Sequence, residues 1–344
     1  MKKVNSKENK RILYFDILNI IACLSVVYLH CNGIVHQFTN TRAWKGALII
    51  EVLCYFAVPI FLMLSGANLL NYKSKYDTKA FFKKRLMKVL VPYFVWSLIY
   101  YIVYFKGFIP KDFVIKFLNC DIKPVFWFFP TILWLYLIMP LFASLVENKD
   151  LKTLKYFAII IFISVSCIPY IFSIFGKNTP SIFSCLEGII GYSLYLILGY
   201  ILSKTDVEKE KRIVIYLIAV LCLAFRYTYT YYFSIQEGMV NRNSWGYLSI
   251  ICVIPSIAVF LFVKNIKWNT YINDKFSVLF SKISSCSFGV YLMHILIKDI
   301  VTSFLKLDDT TLFYRLLFPI FLYFICVVVA YLIKKIPLIK KIVP

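Results

Sequence analysis

Charge is scarce in this sequence of 344 residues: Asp, Glu, Lys and Arg make up 16%, against 61% hydrophobic and 19% aromatic residues. A soluble domain carries about 25% charged residues, so this composition cannot build a water-facing surface. Glycine (11) and proline (12) are too few for a fibrous or disordered chain. No Cys-x-x-Cys occurs among the ten cysteines, and the three histidines lie at no spacing that suits zinc. The cysteines sit mostly in apolar runs and read as small buried hydrophobes, which argues against a disulfide framework and a resident metal. Long connections are missing as well. The segments 107–124, 226–244 and 264–282 are too short for a soluble domain, and no internal repeat is visible.

What the chain has instead is a series of apolar runs of about 20 residues, the length that crosses a bilayer as a helix. Ten can be marked: 13–34, 46–70, 86–106, 125–146, 155–175, 185–202, 212–233, 245–263, 283–303 and 313–334. The predicted fold is all-α, a polytopic transmembrane bundle of about ten helices forming one domain over 1–344, with no extracytoplasmic soluble domain. The first run is no signal peptide, because it is too long, contains Asp16 and His30, and lacks a small-x-small cleavage site.

Acidic residues number only 17 against 39 basic, a net charge of +22. Lysine outnumbers arginine 32 to 7, which argues against a guanidinium-rich nucleic-acid surface. The basic residues cluster between runs and so read as topology signals and lipid-headgroup contacts. With both termini in the cytoplasm, 27 basic residues fall in inside segments and 12 elsewhere, and Lys73 to Lys88 is the densest inside cluster.

Ionisable groups inside such runs are costly and are functional candidates. His30 near the end of the first run and Glu51 near the start of the second lie at matched depth, roughly 6–8 Å below the outer edge at about 1.5 Å per residue. A carboxylate beside an imidazole orients the ring and raises its basicity, as a general base requires. The same pair would equally serve to hold two helices together. Ser65-Gly66 permits close approach of a backbone or a ligand, and Arg85 with Lys88 offers cations at the inner mouth suited to phosphate groups. Trp127 fits an interfacial belt. Glu187 and His294 are further candidates within runs, and Cys31 makes a poor acyl carrier in an apolar setting that raises its thiol pKa.

Several segments in order resemble the acyltransferase-3 family of integral-membrane acyltransferases. They are Phe15-Asp16 through Ala22 with Val26-Val27-Tyr28-Leu29-His30, then Pro59, Phe61 and Leu64-Ser65-Gly66, then Lys84-Arg85 with Val91-Pro92. Phe126-Trp127-Phe128, Leu198-Gly199-Tyr200 and Phe288-Gly289-Val290-Tyr291-Leu292-Met293-His294 complete the resemblance. It implies an O-acyltransferase of the bacterial cell membrane that modifies a cell-surface polysaccharide or its lipid-linked precursor. The co-substrate would be a cytoplasmic acyl-CoA such as acetyl-CoA, with no permanently bound cofactor and no nucleic acid. His30 would be the general base, with Glu51 orienting its ring and Ser65, Gly66, Arg85 and Lys88 on the donor side. The family carries a basic residue eleven positions before its histidine, where this chain has Asn19; Arg85 or Lys88 would replace it. A transporter or flippase for polysaccharide building blocks is the competing class, since an interior Glu–His pair also suits a proton relay. The unrelated membrane-bound O-acyltransferase fold is a third.

Overall fold

A computed structural model describes residues 12–105, 107–180, 188–337 and 339–344, and all of its regular structure is helical. In chain order the helices are α1 (Leu13–Cys31), α2 (Arg42–Cys54), α3 (Ala57–Leu69), α4 (Thr78–Tyr104), α5 (Pro110–Leu118), α6 (Phe128–Glu147) and α7 (Leu151–Ile161). They continue with α8 (Ile168–Ile174), α9 (Ile189–Lys204), α10 (Lys209–Glu237), α11 (Ile250–Asn265), the single turn α12 (Trp268–Tyr271), α13 (Asp274–Leu305) and α14 (Phe318–Lys335). Eight spans among the described residues are long and apolar enough to cross a membrane, and the shorter apolar α9 and α11 bring the set to the ten runs read from the sequence. The chain is a multi-pass helical membrane protein.

Side-chain caps explain where several helices begin. Thr41 Oγ1 accepts from the Trp44 amide at 3.2 Å, Asp77 from Ala80 at 2.7 Å, Asp150 from Thr153 at 3.0 Å and Asn273 from Phe276 at 3.0 Å. Each satisfies an amide that the first helical turn leaves without a partner.

Prolines explain where helices break. The run 46–70 reads as one helix but forms two, α2 and α3, parted at Tyr55 and Phe56. Pro59 has no N–H for the Tyr55 carbonyl, and its ring would crowd that carbonyl. The freed Tyr55 oxygen instead lies 3.9 Å from the Cys252 thiol, which donates to it. The two π-helical segments, Phe162–Cys167 and Phe313–Leu317, likewise end just before Pro169 and Pro319.

Helix α1 is central and packs against α2, α3, α11, α13 and α14. Asn19 Nδ2 donates to both the carbonyl and the hydroxyl of Ser284 at 2.9 Å, and the Cys23 thiol donates to Ser287 O at 3.5 Å, tying α1 to α13. Helix α3 meets α9 at two glycines. A Cβ on Gly66 would overlap the Leu196 main chain, and one on Gly199 would overlap the Met63 main chain. Small residues let these backbones touch, the closest form of helix contact available in a membrane. At the periphery α10 turns Ile213, Val214, Leu217, Val220 and Leu221 outward, a lipid-facing surface.

Candidate active site

One cavity of about 1150 Å³ runs inside the bundle alongside α1. At the N-terminal end of α1 its wall holds Asp16, Asn19, Ser65, Asn68, Lys75, Tyr76, Arg85, Lys88 and Lys204. At the opposite end it holds His36, Glu51, Tyr55, Trp127, Trp245 and Tyr247. His30 stands in the wall toward this second end, about 21 Å along α1 from Asp16 at 1.5 Å rise per residue.

The first end is cationic. Arg85 and Lys88, three residues apart on α4, share a helix face. Arg85 bonds the Tyr136 hydroxyl and keeps a buried Nε–H with no partner among the described residues. Ser65 lines the cavity, whereas Gly66 beside it does not: it is a packing position buried against α9, which removes it from the ligand-contacting set predicted from sequence. Asn19 keeps its place on the wall, but its amide N–H group is committed to Ser284.

The second end is aromatic. Tyr247 stacks on Tyr55 with centroids 4.4 Å apart and on Trp127 with centroids 5.5 Å apart. The Arg226 guanidinium sits 3.6 Å from the Tyr55 ring centroid and extends this column by a cation–π contact. Arg226 is 1% exposed and retains buried Nε and Nη2 groups without a partner among the described residues. Glu51 is buried beside it and accepts from Asn32 Nδ2 at 3.4 Å, while the same Asn32 group donates to Ala47 O at 2.8 Å. His36 faces Trp245 at 5.8 Å. Partial burial, then the Arg242 guanidinium, lowers its imidazole pKa below the ordinary value, so the ring is neutral near pH 7.

His30 does not pair with Glu51. Its Nδ1 lies 2.8 Å from Nε2 of His294, which is fully buried on α13. His294 Nδ1 in turn approaches the carbonyls of Val290 at 3.0 Å and Tyr291 at 2.8 Å. Matched depth on two neighbouring helices suggests that pairing, and α1 and α2 do pack together. The ring nevertheless turns toward α13, where the partner is 264 positions away in sequence. The His30 carbonyl accepts from Lys298 Nζ at 3.4 Å, a cation placed at a helix C-terminus where the dipole favours it. Glu187 lies outside the described residues.

Sequence reasoning missed Tyr55, Trp245 and Tyr247. Trp245-Gly246-Tyr247 opens the run 245–263 directly after the polar Asn241-Arg242-Asn243-Ser244, and that placement was the available signal. Tyr55 gave its own signal as the residue four before Pro59. Among the described residues no group of His, Cys, Asp and Glu has the arrangement of a metal site.

A family model described as an acyltransferase domain matches residues 12–335 of this chain, nearly its whole length. No curated protein and no solved structure matches it at a significant level.

Proposed function

Because this chain belongs to the acyltransferase-3 family and is a membrane acyltransferase, we propose that it moves an acetyl group from cytoplasmic acetyl-CoA to a hydroxyl of a cell-surface polysaccharide or its lipid-linked precursor. One observation carries the proposal: a single cavity joins the cationic end at Arg85 and Lys88 to the aromatic end at Trp127 and Tyr247, with His30 in its wall.

The two ends suit two different substrates. Phosphate groups of a nucleotide thioester find the cationic side chains of Lys75, Arg85, Lys88 and Lys204 at the first end. The long acyl-bearing arm then extends along polar wall residues Asn19, Ser65 and Asn68 toward His30. At the second end, the Trp127 ring and the edges of the stacked Tyr55 and Tyr247 rings offer apolar surface to the C–H groups of a sugar, and Glu51 offers an acceptor for its hydroxyls. His30 takes the proton of the acceptor hydroxyl as its oxygen attacks the thioester carbonyl. The new C–O bond forms, the C–S bond breaks, and the thiolate recovers the proton from the imidazolium. In this reading Glu51 contacts the acceptor rather than the His30 ring.

The proposed orientation puts both termini, and therefore Arg85 and Lys88, on the cytoplasmic side where acyl-CoA is found. Cysteine labelling should report Lys79 and Lys264 positions inside and Arg42 and Lys177 positions outside. NMR of the host's surface polysaccharide should lose O-acetyl signals when the gene is deleted and regain them with the wild-type copy only. Unchanged O-acetyl content in the deletion would reject this acceptor class. The transporter alternative is set aside by the family membership.

A further inference from the structure

The His30–His294 contact decides where the protons sit. Carbonyl oxygens only accept hydrogen bonds, and His294 Nδ1 faces two of them, Val290 O at 3.0 Å and Tyr291 O at 2.8 Å. Nδ1 of His294 therefore carries a hydrogen, and in the neutral ring its Nε2 holds a lone pair. That lone pair faces His30 Nδ1 at 2.8 Å, so His30 must be the donor and bear its own hydrogen on Nδ1. The remaining nitrogen, His30 Nε2, is then the unprotonated one, and it has no partner among the described residues. His30 lines the cavity and His294 does not.

We propose that His294 is a positioning residue that locks His30 in the Nδ1–H tautomer, leaving Nε2 as the only nitrogen able to accept a substrate proton. The proposal rests on His30 being the general base. Without an acceptor behind it, a neutral imidazole divides between two tautomers, and the one with hydrogen on Nε2 cannot take a proton from a hydroxyl there. Once Nε2 is protonated, the Nδ1–H to His294 bond is charge-assisted and stronger, which favours the imidazolium that forms during the reaction. A helix-fastening role is redundant. Asn19 with Ser284 and Cys23 with Ser287 already join α1 to α13 on the same face. The backbone carbonyls hold the orientation of the His294 ring, so the rigid element behind His30 is the turn Val290–His294 of α13 itself.

Two measurements test this. The chain has only three histidines, so ¹⁵N magic-angle-spinning NMR of histidine-labelled protein in lipid resolves each ring, with His36→Gln identifying the loop residue. His30 should show a protonated Nδ1 and a bare Nε2 in the wild type, and a mixture of tautomers in His294→Phe. A wild-type His30 protonated on Nε2 overturns the proposal, whatever the activity. In acyl transfer, His294→Phe should lower kcat about 10²–10³-fold while KM for acetyl-CoA changes less than about twofold. His294→Gln places an amide oxygen where Nε2 was and should recover at least about tenfold of that loss. Equal losses for the Phe and Gln variants, both binding acetyl-CoA normally, would mean that the histidine acts otherwise. If instead the wild-type tautomer is as stated but His30→Ala keeps its activity, it is the general-base reading that fails.

Discussion

The two ends of the cavity are built from opposite materials, and each material matches a different kind of selectivity. At the α1 N-terminal end the wall is supplied by flexible cations, Lys75, Arg85, Lys88 and Lys204, which attract any polyanion of suitable reach. At the far end the wall is a column of stiff rings, Arg226 on Tyr55, Tyr55 on Tyr247, Tyr247 by Trp127. Rings held on both faces lose little entropy when a ligand arrives and present a fixed outline. In the proposed reading the cationic end recognises charge and tolerates variation in position, whereas the aromatic end recognises shape.

Separate duties at the two ends predict separable kinetic signatures. The largest effect belongs to the junction between them: His30→Ala should cut acyl transfer about 10²–10⁴-fold while acetyl-CoA still binds, as measured by calorimetry on detergent-solubilised protein. Near-normal transfer would remove His30 from the chemistry. Next, Arg85→Ala should raise KM for acetyl-CoA roughly tenfold, the scale of a lost charge-assisted bond, with the acceptor KM unmoved. A purely topological arginine would leave donor affinity intact. Trp127→Ala should do the reverse, raising the acceptor KM about five- to tenfold, as loss of one aromatic contact of roughly 1 kcal/mol or slightly more implies. Combining it with Arg85→Ala should multiply the two effects, since the residues occupy opposite ends. Strong departure from that product would mean that the ends are not independent. The smallest change is expected for Glu51→Gln, a few-fold rise in acceptor KM with kcat retained; a selective fall in kcat would restore the role of ring orienter that the sequence reading gave Glu51.

The helical spans were legible in the sequence because membrane crossing depends on a property that sums along the chain, and the runs bounded by Lys/Arg clusters recur among the helices, with α5 and α12 lying outside them and α4 and α13 beginning about two turns earlier than their runs. His30 was legible too, since an imidazole in an apolar run must be satisfied by something. Its partner was not. Depth along two neighbouring helices does not fix the rotation of either about its axis, and that rotation sends His30 to α13 instead of α2. Gly66 shows the same gap. A glycine marks close approach, yet only the position of α9 decides that the approaching atoms belong to Leu196. The split of the second run followed from Pro59, which the sequence displays openly; the aromatic column did not, because Tyr55, Trp127 and Tyr247 come from three distant segments.

The glycine crossing of α3 and α9 has a mechanical consequence. Side chains that interdigitate can change rotamer and let helices slide, but two main chains in contact have no such slack. These helices move as a single beam, and with Ser65 on it the beam forms a fixed wall of the cavity. The lipid-facing α10 is held differently, by side chains: it packs against α11 and α2, and its Tyr229 hydroxyl donates to Ile174 O at 2.7 Å. Because α10 carries Arg226, any outward movement of this helix would withdraw the cation from the Tyr55 ring and dismantle the aromatic column.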